Sequence, residues 1–210
     1  MISKKVSKII EMFILFIVVP GILALSVTVV LKLSSVILAL LYVGFVTYKE
    51  RKLFNFKVKF KKASKGYIIR TSVVFILIIL LGIGIIQFVN PDLLWSVVRQ
   101  KPMLWFVILF VYAFLSVIPQ ELVYRGFFYN RYQSLFSNKQ LFAVINVICF
   151  SWCHVFLLNI WVMLITVLGG ILFVYTYEKE KSIFWTVVEH SLYGNLVFTL
   201  GLGQMLAFPG

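Results

Sequence analysis

The chain has 210 residues, of which 62% are hydrophobic and only 13% charged, and its mean hydropathy is +1.03. A soluble domain carries about a quarter of its residues as charges, so this composition excludes one and points to an integral membrane protein. The formal net charge of +13 does not point to nucleic acid: nine of the 20 basic residues lie between Lys49 and Arg70, and no recognition module accompanies them.

Along the chain, Lys4, Lys5 and Lys8 precede the segment "MFILFIVVPGILALSVTVVL". That apolar run is about 20 residues long and no small-residue cleavage site follows it, so it reads as a retained span and not as a signal peptide. Spans are expected over 12–31, 34–48, 67–88, 102–119 or somewhat beyond, 140–158, 159–177 and 182–200. Each can cross a hydrocarbon core of about 30 Å, although 34–48 is short and Gly169-Gly170 interrupts 159–177. With no strand periodicity and no long polar linker, the expected fold is all-α: a polytopic transmembrane helical bundle of about seven spans, without a sheet.

The connector 49–66 is basic, and the positive-inside rule puts it and the N-terminus in the cytoplasm. Arg131, Lys139 and the "EKEK" at 178–181 then fall on the same side. Within the connector, Phe54, Phe56, Val58 and Phe60 alternate with Lys57, Lys59 and Lys61, a pattern suited to anionic headgroups, so membrane lipid is one expected partner. Cys149 and Cys153 sit i, i+4 in an apolar run and read as small buried thiols, not as a disulfide or metal pair.

Charges inside a membrane helix cost several kcal/mol unless paired or hydrated, which makes intramembrane ionisable groups functional candidates. Three polar islands stand out: Gln120, Glu121 and Arg125; "FSWCH", ending at His154; and "EHSLYGN", with Glu189, His190 and Asn195. Glu121 lies 16 residues before the turn near Ser137 and His154 lies 17 after it, so two helical arms at about 1.5 Å per residue bring them to similar depth. His190, nine residues beyond Lys181, reaches roughly the same layer. Bland readings stay open for each. Glu121 and Arg125 can be an intrahelical ion pair, the histidines and Asn195 can be interhelical hydrogen-bonding residues, and Glu189 can face the water boundary.

The islands resemble the motifs of the CAAX protease and bacteriocin-processing (Abi) family of intramembrane proteases. "QELVYR" is similar to its Glu-Glu-x-x-x-Arg, Phe150 and His154 fit its Phe-x-x-x-His, and "HSLYGN" resembles its His-x-x-x-Asn, all in order over about 100–200. The resemblance implies two parts, N-terminal transmembrane helices over 1–100 and a core over 101–210 carrying the motifs. It further implies an endopeptidase in a multi-pass protein of the bacterial cell membrane, acting on a membrane-associated peptide or protein. By analogy with the family, Glu121 and His154 would activate water, and His190 with Asn195 would polarise the scissile carbonyl. Gln120, Arg125 and Phe150 would support them. No cofactor is required by this scheme. The alternative is zinc, for which Glu121, His154 and His190 supply three ligands and an open position, though no His-Glu-x-x-His is present.

Two departures from the family pattern matter. Gln120 stands at the first Glu position, and an amide takes no proton near neutral pH. Either Glu121 is the base, or the chain is a catalytically inactive scaffold that binds a partner protein. A small transporter is a third class, but no second inverted repeat supports it. Asn195 follows His190 by five residues, which points it about 140° away on a regular helix; a π-bulge at Gly194 is the expected remedy.

Overall fold

The computed structural model describes residues 4–51 and 62–203. The alternating Phe and Lys pattern at 54–61 lies outside them. Among the described residues there is no strand, and six helices are long and apolar enough to cross a membrane. These are α1 (Lys4–Ala24), α2 (Val29–Lys49), α3 (Lys65–Val89), α4 (Pro102–Leu135), the run Lys139–Leu157, whose α-helical part Lys139–Trp152 is α5, and α6 (Ile160–Glu180). A further helix, α7, covers Ile183–Leu200. It was the expected seventh span, and its length suffices, but Glu189, His190 and Asn195 make it too polar to qualify by composition. Large apolar side chains stand exposed along the first spans, Phe88 at 93% and Val30 at 74%, as lipid-facing helices require. The protein is an integral, multi-pass, all-α membrane protein.

Span boundaries differ from expectation at the N-terminus. Helix α1 begins at Lys4 and ends at Ala24, where 12–31 was expected, because Lys4, Lys5 and Lys8 join the helix. The Thr28 hydroxyl then caps α2 by accepting from the Leu31 N–H at 3.3 Å. Asn138 caps α5 and Ser182 caps α7 in the same way. Gly169-Gly170 does not break α6, which is continuous to Glu180.

Three π-helical turns interrupt these helices: Ile14–Val18, Tyr112–Val117 and Leu122–Phe127. The first two each run up to a proline, Pro20 and Pro119. Proline has no N–H and its ring collides with the carbonyl four residues back, and a locally widened turn relieves that collision. The third follows Glu121 directly, and the Asn130 side chain donates to the Gly126 carbonyl at 2.7 Å within this stretch.

The described chain divides into two compact units, one of residues 4–51 and 122–174, the other of residues 62–121 and 175–203. In the first, Phe16 of α1 meets the rings of Tyr124, Phe128 and Tyr132 edge-on at 4.8–6.0 Å. Arg131 gathers Glu11 of α1 at 2.8 Å and Glu50, just past α2, at 2.5 Å, while Tyr132 also donates to Glu11. The first half of α1, the end of α2 and the end of α4 are thereby tied together.

In the second unit, α7 lies between α3 and the first half of α4. Leu196 and Leu200 pack with Ile86 of α3, and Phe198 packs with Ile108, Tyr112 and Val117 of α4. The Ser64 hydroxyl donates to Glu180 at 2.6 Å, joining the start of α3 to the end of α6. Gly201 ends α7 with φ of 100°, where a Cβ would fall 1.9 Å from the Leu93 carbonyl oxygen.

Candidate active site

Glu121 ends the half of α4 that belongs to the second unit and is completely buried. Its Oε1 lies 2.8 Å from Nδ1 of His190 on α7. A carboxylate oxygen only accepts, so Nδ1 carries the hydrogen and, in the neutral ring, Nε2 is the acceptor nitrogen. A ring with this tautomer, held by a carboxylate on the opposite nitrogen, is equipped to take a proton at Nε2. The contact joins the first and third sequence islands across 69 residues.

Gly194 explains how α7 comes this close. A Cβ there would fall 2.1 Å from the Tyr112 hydroxyl, so only glycine leaves room for the ring. Tyr112 in turn meets the His190 ring edge-on at 6.1 Å and Phe198 at 4.9 Å. The π-bulge expected at Gly194 is absent, and α7 is regular from Ile183 to Leu200. The distortion sits in α4 on either side of Gln120 and Glu121. On the regular helix Asn195 points about 140° from His190 and shares a face with Ser191. Gln120 donates to the Ser116 hydroxyl at 2.9 Å. Its Oε1, the Ser191 hydroxyl oxygen and Asn195 Oδ1 are buried acceptors without a partner.

Glu189 is a correction. It is fully buried and does not face water. It takes Arg70 Nη2 at 2.9 Å, the Tyr193 hydroxyl at 3.0 Å and the Thr176 hydroxyl. Arg70 was grouped with the basic connector, but it belongs to α3 and its side chain is 22% exposed. Sequence reasoning missed this pair, although a glutamate beside a histidine in an apolar helix and an arginine five residues inside another were both visible.

The remaining site candidates lie in the first unit. The Arg125 guanidinium is fully buried, 4.5 Å from the centre of the Phe150 ring and 5.7 Å from that of Phe173, and its Nη2 approaches the Gly170 carbonyl at 3.4 Å. Phe150 also meets the His154 ring at 5.3 Å, so one aromatic side chain supports both. His154 lies just past the end of α5, in a turn and not inside a helix. Its Nδ1 is 3.0 Å from the Phe150 carbonyl, which can only accept, so Nε2 is again the acceptor nitrogen. Cys149 and Cys153 are free thiols. Among the described residues, neither unit gathers three His, Cys, Asp or Glu side chains able to hold a metal ion.

Residues 101–196 match the family described as type II CAAX prenyl endopeptidase Rce1-like. That segment is similar to the Rce1-like family over somewhat less than half of the chain. This is the family that the three motifs resemble, and the matched segment takes in every candidate residue from Gln120 to Asn195. Arg70 lies outside it, so the matched segment receives the partner of Glu189 from the preceding part of the chain. No curated protein and no solved structure matches the chain at a significant level.

Proposed function

We propose that this chain is an intramembrane endopeptidase that hydrolyses a peptide bond with water activated by Glu121 and His190. The observation that carries the reading is the buried 2.8 Å contact between Glu121 Oε1 and His190 Nδ1. In this scheme Nε2 of His190 takes a proton from water as the water oxygen attacks the scissile carbonyl carbon. Glu121 stabilises the imidazolium that forms. The proton then passes to the leaving nitrogen, the C–N bond breaks, and an acid and an amine result. His154 is proposed as the second imidazole of this chemistry on the strength of its motif. Asn195, with Ser191 and Gln120, supplies polar groups for the substrate backbone; their buried, unpartnered acceptors suit peptide N–H groups. The substrate is a peptide or protein held at the membrane, the N-terminus is cytoplasmic, and no metal is required.

A second reading has one observation in its favour. Gln120 stands where the family motif has glutamate, which suits an inactive scaffold that keeps the polar site to bind a partner protein. Cleavage of a peptide library, with prenylated and unprenylated members, by the purified protein in detergent separates the two readings. Cleavage that persists in a chelator supports the metal-free scheme. Loss of cleavage in the chelator, with recovery on adding zinc, supports the zinc alternative. No cleavage of any member, with capture of a membrane protein at the site, supports the scaffold.

A further inference from the structure

Helix α7 has two buried polar faces, one at Glu189 and one at His190. Glu189 and His190 are successive residues and leave the helix about 100° apart. The Glu189 face, with Tyr193, Leu196 and Leu200, is turned to α3, while His190 and Gly194 are turned to Glu121 and Tyr112 of α4. Rotation of α7 by a fraction of a turn would break both sets of contacts together.

We propose that the Arg70–Glu189 pair is a positioning device that sets the rotation of α7 and thereby presents His190 Nδ1 to Glu121. This rests on the reading of His190 as the acid/base group. Glu189 is held from three directions: by Arg70 of α3 at 2.9 Å, by Thr176 of α6, and by Tyr193 one turn along α7 at 3.0 Å. Arg70 also donates to the Thr176 hydroxyl, and its guanidinium lies over the Tyr175 ring at 4.8 Å. The Tyr193 hydroxyl reaches the Thr71 carbonyl at 3.4 Å. A carboxylate fixed at both oxygens by groups from two other helices defines an angle, which an apolar contact between smooth side chains does not. Histidine hydrogen bonding to a carboxylate at 2.8 Å needs that angle set to within a few tens of degrees. The device acts from outside the three motifs, through a residue at the start of α3, and touches neither substrate nor reacting atoms.

The test uses the full chain in detergent micelles with 15N-labelled histidine. His154 and His190 are the only histidines, so the spectrum holds two imidazoles, and His154→Gln assigns them. In the wild type, His190 is expected as the Nδ1-protonated tautomer. In Glu189→Gln, the His190 signals are expected to move to a mixed-tautomer position while those of His154 stay. In parallel, kcat should fall on the order of 100-fold with KM nearly unchanged, as for a misplaced catalytic group. Arg70→Lys keeps the charge and should retain the wild-type His190 signature. If Glu189→Gln does not accumulate, Arg70→Gln gives the same readout from the half-buried end of the network. An unchanged His190 signature in these charge-removing variants, with only a lower Tm, overturns the inference. An inactive wild type whose His190 still changes tautomer on Glu189→Gln supports the positioning device and overturns the proteolytic reading instead.

Discussion

The ring of Tyr112 occupies the space that a side chain at position 194 would need: a Cβ there would come within 2.1 Å of the Tyr112 hydroxyl and 2.2 Å of its ring carbon Cε1. Tyr112 cannot retreat easily, because Phe198 backs it at 4.9 Å and both are buried. Gly194→Ala is therefore expected to destabilise the protein by about 1–3 kcal/mol, typical of overpacking, and to push α7 away from Glu121. Thermal unfolding in detergent measures the first effect and the cleavage rate the second. Tyr112→Ala in the same chain restores the space, and in a double-mutant cycle the double variant should lose less stability than the sum of the two single losses; strictly additive losses would show that Tyr112 is not the obstacle.

Glu121→Gln keeps a carbonyl oxygen that can accept from His190 Nδ1 but removes the negative charge. Hydrolysis is expected to fall by about 10²- to 10⁴-fold, the usual range for losing acid/base assistance, while the protein still inserts and folds. The single-turnover cleavage rate is the measurement. A fully active variant would mean that the carboxylate is only a structural acceptor.

Gln120→Glu restores the family residue at the first motif position. Gln120 donates to Ser116 at 2.9 Å, and a carboxylate there would accept from the hydroxyl instead, which reverses the bond without breaking it. In an enzyme adapted to a single carboxylate the second charge beside buried Glu121 should lower the rate. In an inactive scaffold the same substitution should create cleavage where there was none. The sign of the change in rate distinguishes the two.

Arg131 neutralises Glu11 and Glu50, and its own side chain is 10% exposed. Arg131→Met leaves both carboxylates without their cation. Removing one partner of a fully buried pair costs about 3–5 kcal/mol; with Glu50 32% exposed, the lower end of that range is expected. A fall in Tm, without change in KM for peptide, is the predicted outcome. Equal Tm values would mean that water already screens this network.

The topology is open to labelling at Lys62, which is exposed and precedes α3. Ser64 is unsuitable because its hydroxyl caps α3 and bonds Glu180. Lys62→Cys, in a chain with Cys149 and Cys153 replaced by serine, should react with a membrane-impermeant maleimide only after the cells are opened. Reaction in intact cells would invert the orientation of every span.

Helical class, the membrane setting and the three polar islands were readable from the amino acids alone, because hydropathy and helical periodicity are properties of neighbours in the chain. The same local rules singled out Glu121, His154 and His190 as costly side chains in apolar helices. Partnership was not local. The structure joins Glu121 to His190, 69 residues away, and it pairs Glu189 with Arg70 across 119 residues. Which polar groups meet depends on the rotation of each helix about its axis, and that is set by how side chains such as Gly194 and Tyr112 fit together. A π-bulge was expected at Gly194, but α7 is regular there and the π turns flank Glu121 in α4 instead, a choice that depended on how α4 and α7 pack.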